Sequence, residues 1–438
     1  MLSIRFHNPE ERRKAMVKSK VRKVGKGLII LVALLAFCTA PAFAQDKVRI
    51  GVLLPFSGPL AYEGNEVFKG FEVARVEQNE KGGLLGKQIE FLKGDAVDPK
   101  AAVSEAERLI SVEKVSVILG TFSSPRSYAA STIAEKNKVV YWETGSVGDD
   151  ITKRGYKYIF RICPNAEDLA KAASYFGVVV APRMLKIAAK DLKVAVIGEN
   201  SLYGTSVSKT AKGMVEAEGA QLVAYEFYDA NTKDLSSLIL RLKAKKPDVL
   251  IPTCYVNDAI LLSRQSKQMD FNVKVFVGTG VGHNTKALAD AIGDDVNGIL
   301  CSGWPSTTLN KKFAWGLEAF MKTYEKVWKE PIGSPHPFGN YTGAWVLWDT
   351  IKRANSMDAE AIRKAAEATD IPKGKTPIGW GVKFVPPDQI NAGQNMRALW
   401  FVEQWRDRKL HCAWPDDAKE AGYQVILPYP TWEERKKK

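Results

Sequence analysis

The sequence predicts an α/β protein with parallel sheets in two lobes. Three observations predict it. From Lys47 onward, short apolar runs alternate with longer segments of helical apolar spacing, the pattern of parallel strands joined by crossover helices. The alternation comes as two arrays of similar size that meet near Cys163. The run Val115–Leu119 breaks at Gly120, and Ser123-Ser124-Pro125 then opens a helix-like segment. A serine there caps free backbone N–H groups, and those groups with the helix dipole attract an anion. Ligands of open α/β sheets sit beyond the carboxyl ends of strands, where this turn lies. It reads either as one wall of a carboxylate site or as a plain strand-to-helix turn with a serine cap.

The elements follow in order. Residues 48–54 form the first strand, 55–59 a turn, and 64–80 a helix with Val67, Phe68, Phe71 and Ala74 on its apolar face, closed by Lys81-Gly82-Gly83. Residues 89–92 are a strand and 100–112 a helix. After the strand at 115–119 and its helix come strands at 139–142 and 158–162. The second array begins with a helix over 165–180. Strands at 194–198, 221–228, 249–252, 273–277 and 299–302 alternate with helices over 203–218, 234–243 and 258–268. Helices over 311–328 and 341–353 follow, the latter with Trp345 and Trp348 spaced to share a core face. Residues 396–405 read as a strand, and the Pro-rich end as loop or edge.

The amino terminus is a targeting signal. Residues 1–26 carry nine basic and two acidic side chains, 27–37 are apolar but short for a membrane span, and Ala42-Phe43-Ala44 is a small-x-small cleavage pattern. This predicts a signal peptide over 1–44, with Met1 or Met16 as start, and a mature chain of 394 residues over 45–438 exported to the periplasm. Phe37 before Cys38 is too bulky for a good lipoprotein signal. Without 1–44 the formal charge falls from +14 to +7. No basic-aromatic stripe suits nucleic acid. The mature cysteines, Cys163, Cys254, Cys301 and Cys412, fit no metal spacing. They are either buried thiols or include a disulfide, which an oxidising compartment permits.

An ordered series of segments resembles the periplasmic branched-chain amino acid-binding family of type I substrate-binding proteins. It runs VRIGVLLPFSGPLAYEG (48–64), KGGLLG (81–86), DPKAA (98–102), VILGTFSS (117–124), ITKRGYKYIFRICPN (151–165), KVAVIGENSLYG (193–204), DLSSLILRLKAKKPDVLI (234–251) and DVNGILCSGWP (295–305). The resemblance covers about residues 48–355. It implies two α/β lobes joined by three hinge crossings, near Cys163, 301–305 and 353–357. The N-lobe would then hold 45–163 and 304–355, and the C-lobe 164–303 and 356–438. It implies a monomeric, non-catalytic protein without cofactor or metal, closing on a small amino acid, carboxylate or amide and delivering it to an inner-membrane ABC permease. A ligand sensor for a membrane receptor or kinase uses the same fold.

By the same resemblance Ser123 and Ser124 bind the ligand carboxylate, and Gly145-Ser146 form the next wall. Val147 stands where the family has threonine, which leaves the hydroxyl to Ser146. Tyr203 and Tyr255 close over the ligand, and Tyr62 and Glu63 line its side-chain pocket. The family places an acid for the ligand ammonium after the strand Val275–Val277, but this chain has Gly278-Thr279-Gly280. Either Glu63, Glu143 or Asp258 replaces it, or the ligand has no α-ammonium. Thr279 is the residue at that wall. An enzyme is disfavoured: the glycines at 278, 280 and 282 miss the dinucleotide spacing by one residue. The histidines of the mature chain, His283, His336 and His411, stand by no nucleophile motif.

Overall fold

The computed structural model describes residues 47–436, together with Glu10 and Arg13; the expected signal peptide over 1–44 lies outside the described residues apart from those two. Two sheets organise the chain. The first holds five parallel strands in the order β2-β1-β3-β4-β5. They are β1 (Val48–Leu54), β2 (Ile89–Asp95), β3 (Val117–Gly120), β4 (Val140–Glu143) and β5 (Ile159–Arg161), with helices α1 (Ala61–Glu80), α2 (Pro99–Ser111) and α3 (Ser124–Lys136) between them. β3 and β4 are buried throughout, which is why they read as continuous apolar runs rather than alternating ones.

The second sheet has seven strands in the order β14-β13-β10-β9-β8-β6-β7. Its helices are α4 (Ala166–Tyr175), α5 (Ala181–Leu185), α6 (Leu202–Ala217), α7 (Ser236–Lys245), α8 (Val256–Gln268) and α9 (Lys286–Ile292). Strands β6 (Lys193–Glu199), β7 (Gln221–Tyr228), β8 (Val249–Thr253), β9 (Val275–Thr279) and β10 (Leu300–Gly303) run parallel. The remaining elements are helices α10 (Leu317–Trp328), α11 (His336–Ala354) and α12 (Ala359–Glu367), and strands β11 (Asp370–Ile371), β12 (Val382–Lys383), β13 (Phe401–Arg406) and β14 (Lys409–Trp414). β13 joins β10 antiparallel, and β14 closes that edge.

Several expected boundaries move. The helix expected over 165–180 ends at Tyr175, followed by a π-turn at Phe176–Val180 and by α5. α11 starts five residues earlier than expected, with Pro337 in its first turn, where a missing N–H costs nothing. α10 starts six residues later than expected. Trp348 is buried against Phe91, whereas Trp345 is half-buried beside Trp315.

The division of 356–438 differs most from expectation. Residues up to 395 pack on the first sheet rather than with the second. α12 lies against α11 and β4, Phe384 packs its ring on Trp142 and Phe160, and Gln394 bridges Arg161 at the β5 edge. Arg161 is fully buried and donates to Gln394, Gly148 O and Thr152 Oγ1, so this strap is tied to the strand by the guanidinium. The chain passes to the second sheet only between Asn395 and Phe401.

All four cysteines of the described residues are buried and free, which removes the disulfide alternative. Burial pushes the thiols of Cys163, Cys254, Cys301 and Cys412 up, so they are poor nucleophiles. A thiol reagent is expected to label none of these four in the native protein and all four in denaturant without reductant. A shortfall in denaturant would reveal a disulfide.

Candidate functional site

The carboxyl ends of strands from both sheets face one another across a narrow pocket. From the first sheet come Phe122 and Ser124 after β3, and Gly145 and Val147 after β4. From the second come Tyr203 at the start of α6, Tyr255 after β8, and Gly280, Val281 and Asn284 after β9. Leu169, Gly303, Trp304, Trp400 and His336 complete it. His336 is positioned by close packing: a Cβ on Gly70 of α1 would lie 2.1 Å from Pro337 O, and one on Gly339 2.3 Å from the Trp304 ring. α11 therefore sits tightly between α1 and Trp304.

Ser124 Oγ accepts the Gly148 N–H at 3.0 Å, which locks the start of α3 to the turn after β4. Behind both turns is Glu143, fully buried. Its Oε1 accepts the N–H groups of Thr144, Gly145 and Ser146 at 2.9, 2.8 and 2.8 Å. Its Oε2 accepts Thr121 N–H at 2.8 Å, Thr121 Oγ1 at 3.1 Å and Ser127 Oγ at 2.6 Å. One carboxylate thus shapes two walls of the pocket.

Of the sequence-predicted residues, Ser124, Gly145, Tyr203 and Tyr255 come together at the pocket. The others stand behind it or beside it. Ser123 Oγ accepts from Arg126 Nη1 at 2.9 Å, with the Tyr255 phenol close by. Ser146 is buried with an unpartnered Oγ, and Val147 lines the pocket in its place. Thr279 turns inward, its Oγ1 donating to Thr253 Oγ1 at 2.8 Å and its carbonyl accepting from Tyr203 Oη at 2.8 Å, while Gly280 takes the lining position. Tyr62 donates to Gly333 O at 3.0 Å and is 37% exposed.

Glu63 is the clearest reassignment. It is buried with the backbone N–H of Val256, the first residue of α8, close enough to draw its carboxyl down against the larger upward effect of burial. Burial raises its carboxyl to about 7. α8 has no side-chain cap of its own, nor has α9, whose Lys286 N–H donates to Gly333 O at 2.7 Å. One helix start on the second sheet, that of α9, is therefore capped from the side of the first, and Glu63 stands close to another.

Among the described residues no acidic side chain lines the pocket. Glu143 is saturated as described, Glu63 is buried at the start of α8 behind the pocket, and Asp258 accepts from the Tyr228 hydroxyl. Desolvation raises Asp258 to about 7. None of the three stands ready for an ammonium group, and an unpaired buried ammonium is costly. The pocket offers instead a helix start with Ser124 at one wall and aromatic rings around it. Asn284, His336, Trp304 and Trp400 had no local signal in the sequence: they lie in a loop, at a helix start and in the crossing segments.

Comparisons with known proteins agree with this architecture. A family model described as "Periplasmic binding protein" matches residues 47–409. The Leu/Ile/Val-binding protein homolog 7 of Brucella suis is 42% identical over 402 residues, covering 91% of this chain and 99% of that one. A leucine binding protein from Thermotoga maritima superposes with a TM-score of 0.72 at 23% identity, covering 85% and 99%. An ABC transporter solute binding protein from R. palustris, in complex with 4-hydroxybenzoate, superposes at 0.71 with 21% identity, covering 89% and 100%. The chain belongs to the periplasmic binding protein family, whose members bind solutes for transporters and are not enzymes.

Proposed function

We propose that this member of the family is the solute-binding component of an ABC importer, exported by its first 44 residues, and that it carries a small carboxylate without an α-ammonium group to an inner-membrane permease. The observation that carries the reading is the acid-free, ring-lined pocket with Ser124 at the start of α3. A helix start favours the anion, and the rings favour an aromatic or branched body over a polar one. The 4-hydroxybenzoate complex of a protein with this fold is in keeping with it. The cross-cleft bond from Lys286 N–H at the start of α9 to Gly333 O supports closure of the two lobes over the ligand, because closing supplies a partner that this helix start otherwise lacks.

Thermal melts against a panel of acids test the reading. A true ligand at 100 times its Kd is expected to stabilise the protein by about 2.7 kcal/mol. Ser124→Ala removes a hydroxyl at the anion end and the cap on Gly148. It is expected to weaken carboxylate binding by roughly 5- to 100-fold. Unchanged affinity would move the anion site elsewhere.

A further inference from the structure

Inside a pocket of rings, two polar side chains have no partner. Asn284 is 1% exposed, packed so close to Gly303 that a Cβ there would lie 2.5 Å from its Nδ2. His336 is 1% exposed and edge-on to Phe122, ring centroids 5.5 Å apart. Both line the pocket. Asn284 Nδ2 and Oδ1 and both ring nitrogens of His336 are buried without a hydrogen bond among the described residues. Three other polar groups of the wall are occupied: Ser124 Oγ by Gly148, Tyr203 Oη by Thr279 O, Trp400 Nε1 by Asn165 O at 3.3 Å. Buried polar atoms are normally paired, so four left open on two residues that line one pocket call for a partner from outside the chain.

We infer that Asn284 and His336 select a ligand bearing a neutral donor–acceptor group, a hydroxyl or a carboxamide, in addition to its carboxylate. The inference rests on the reading of this pocket as a ligand site. Its chemistry follows from the two side chains. Burial depresses the His336 imidazolium to about 3, so at neutral pH the ring has one donor and one acceptor nitrogen. The Asn284 amide likewise offers one donor end and one acceptor end. A second carboxylate would satisfy the donors and leave both acceptors facing negative charge. An alkyl or bare phenyl group would leave all four atoms unpaired. A hydroxyl or carboxamide donates to one and accepts from the other. A site built for such bonds rejects the analogue lacking the group more strongly than an apolar pocket rejects an extra methylene.

The test is titration calorimetry with two ligand pairs that differ only by the neutral polar group or nearly so: benzoate against 4-hydroxybenzoate and 4-carbamoylbenzoate, and leucine against glutamine. In the wild-type protein the polar member of the binding pair is expected to be favoured by at least roughly 10-fold. Asn284→Leu and His336→Phe replace the open polar atoms with apolar groups of similar size. Each is expected to bring that ratio towards one, with melting temperatures showing that the variants fold. A wild-type ratio near one, or a preference that survives both substitutions, overturns the inference without need of the variants' stability. If the amino-acid pair binds and the aromatic pair does not, the proposed ligand class fails. The glutamine-to-leucine ratio then decides the selector: a preference for glutamine supports it, and equality or a preference for leucine overturns it. Binding of no member of either pair overturns both.

Discussion

Replacing Glu143 by alanine is expected to lower stability by about 3–5 kcal/mol, the range for stripping one partner from a buried charged network. The carboxylate is fully buried and accepts six hydrogen bonds, four of them from backbone N–H groups. Alanine leaves all those donors in a cavity that water enters only at a cost, and unsatisfied buried donors each forfeit their hydration. Glu143→Gln is not expected to rescue the fold. Either orientation of its amide turns an NH2 group towards backbone N–H donors, because both carboxylate oxygens are occupied by them. Thermal or denaturant melts check this, and a Glu143→Ala protein as stable as the wild type would show that the turns after β3 and β4 hold themselves.

Ligand affinity is expected to fall as pH rises from 5 to 8, by roughly 10- to 100-fold, through Glu63. In closed lobes burial holds this carboxyl at about 7. In separated lobes it faces water and titrates near the ordinary value of about 4.3. The raised closed-state value means that closure carries no ionisation cost below the ordinary pKa. The cost grows about tenfold per pH unit between the two values and levels off above 7. Arg126, Tyr62 and Tyr255 are the other titratable side chains in its field, and none titrates in that window at its ordinary value. Asp258 and Glu403 are also raised to about 7, but their hydrogen-bond partners, Tyr228 and Ser306, lie outside the cleft contacts that Glu63 makes. Glu63→Gln is expected to flatten the profile. A profile that keeps its slope in that variant would assign the proton to another group.

The parts of this molecule that were legible in its sequence share a physical reason. Buried parallel strands such as β1, β3 and β8 are short apolar runs ended by Gly, Pro or Ser, and their period is local. Ser124 follows such a strand directly, so reading β3 points to it, whereas Tyr203 and Tyr255 also follow strands but are singled out by the family resemblance. Glu63 stands behind the pocket near the start of α8, more than 190 residues on, and a neighbour that distant leaves no mark near position 63. Asn284, His336, Trp304 and Trp400 come from a loop, a helix start and two crossing segments, and only tertiary packing brings them together. The segment 359–395 has strands of two residues each. Its place on the first sheet is set by Phe384 and Gln394, which carry no periodic signal.

The pocket offers the start of α3 to a carboxylate and, among the described residues, no acidic side chain to an α-ammonium group. Titration calorimetry of the mature protein at pH 7 with 4-hydroxybenzoate and with leucine tests it most directly. The account predicts saturable binding of the aromatic acid, weakened in Ser124→Ala, and no measurable heat from leucine. Tight leucine binding with none of the aromatic acid would contradict it.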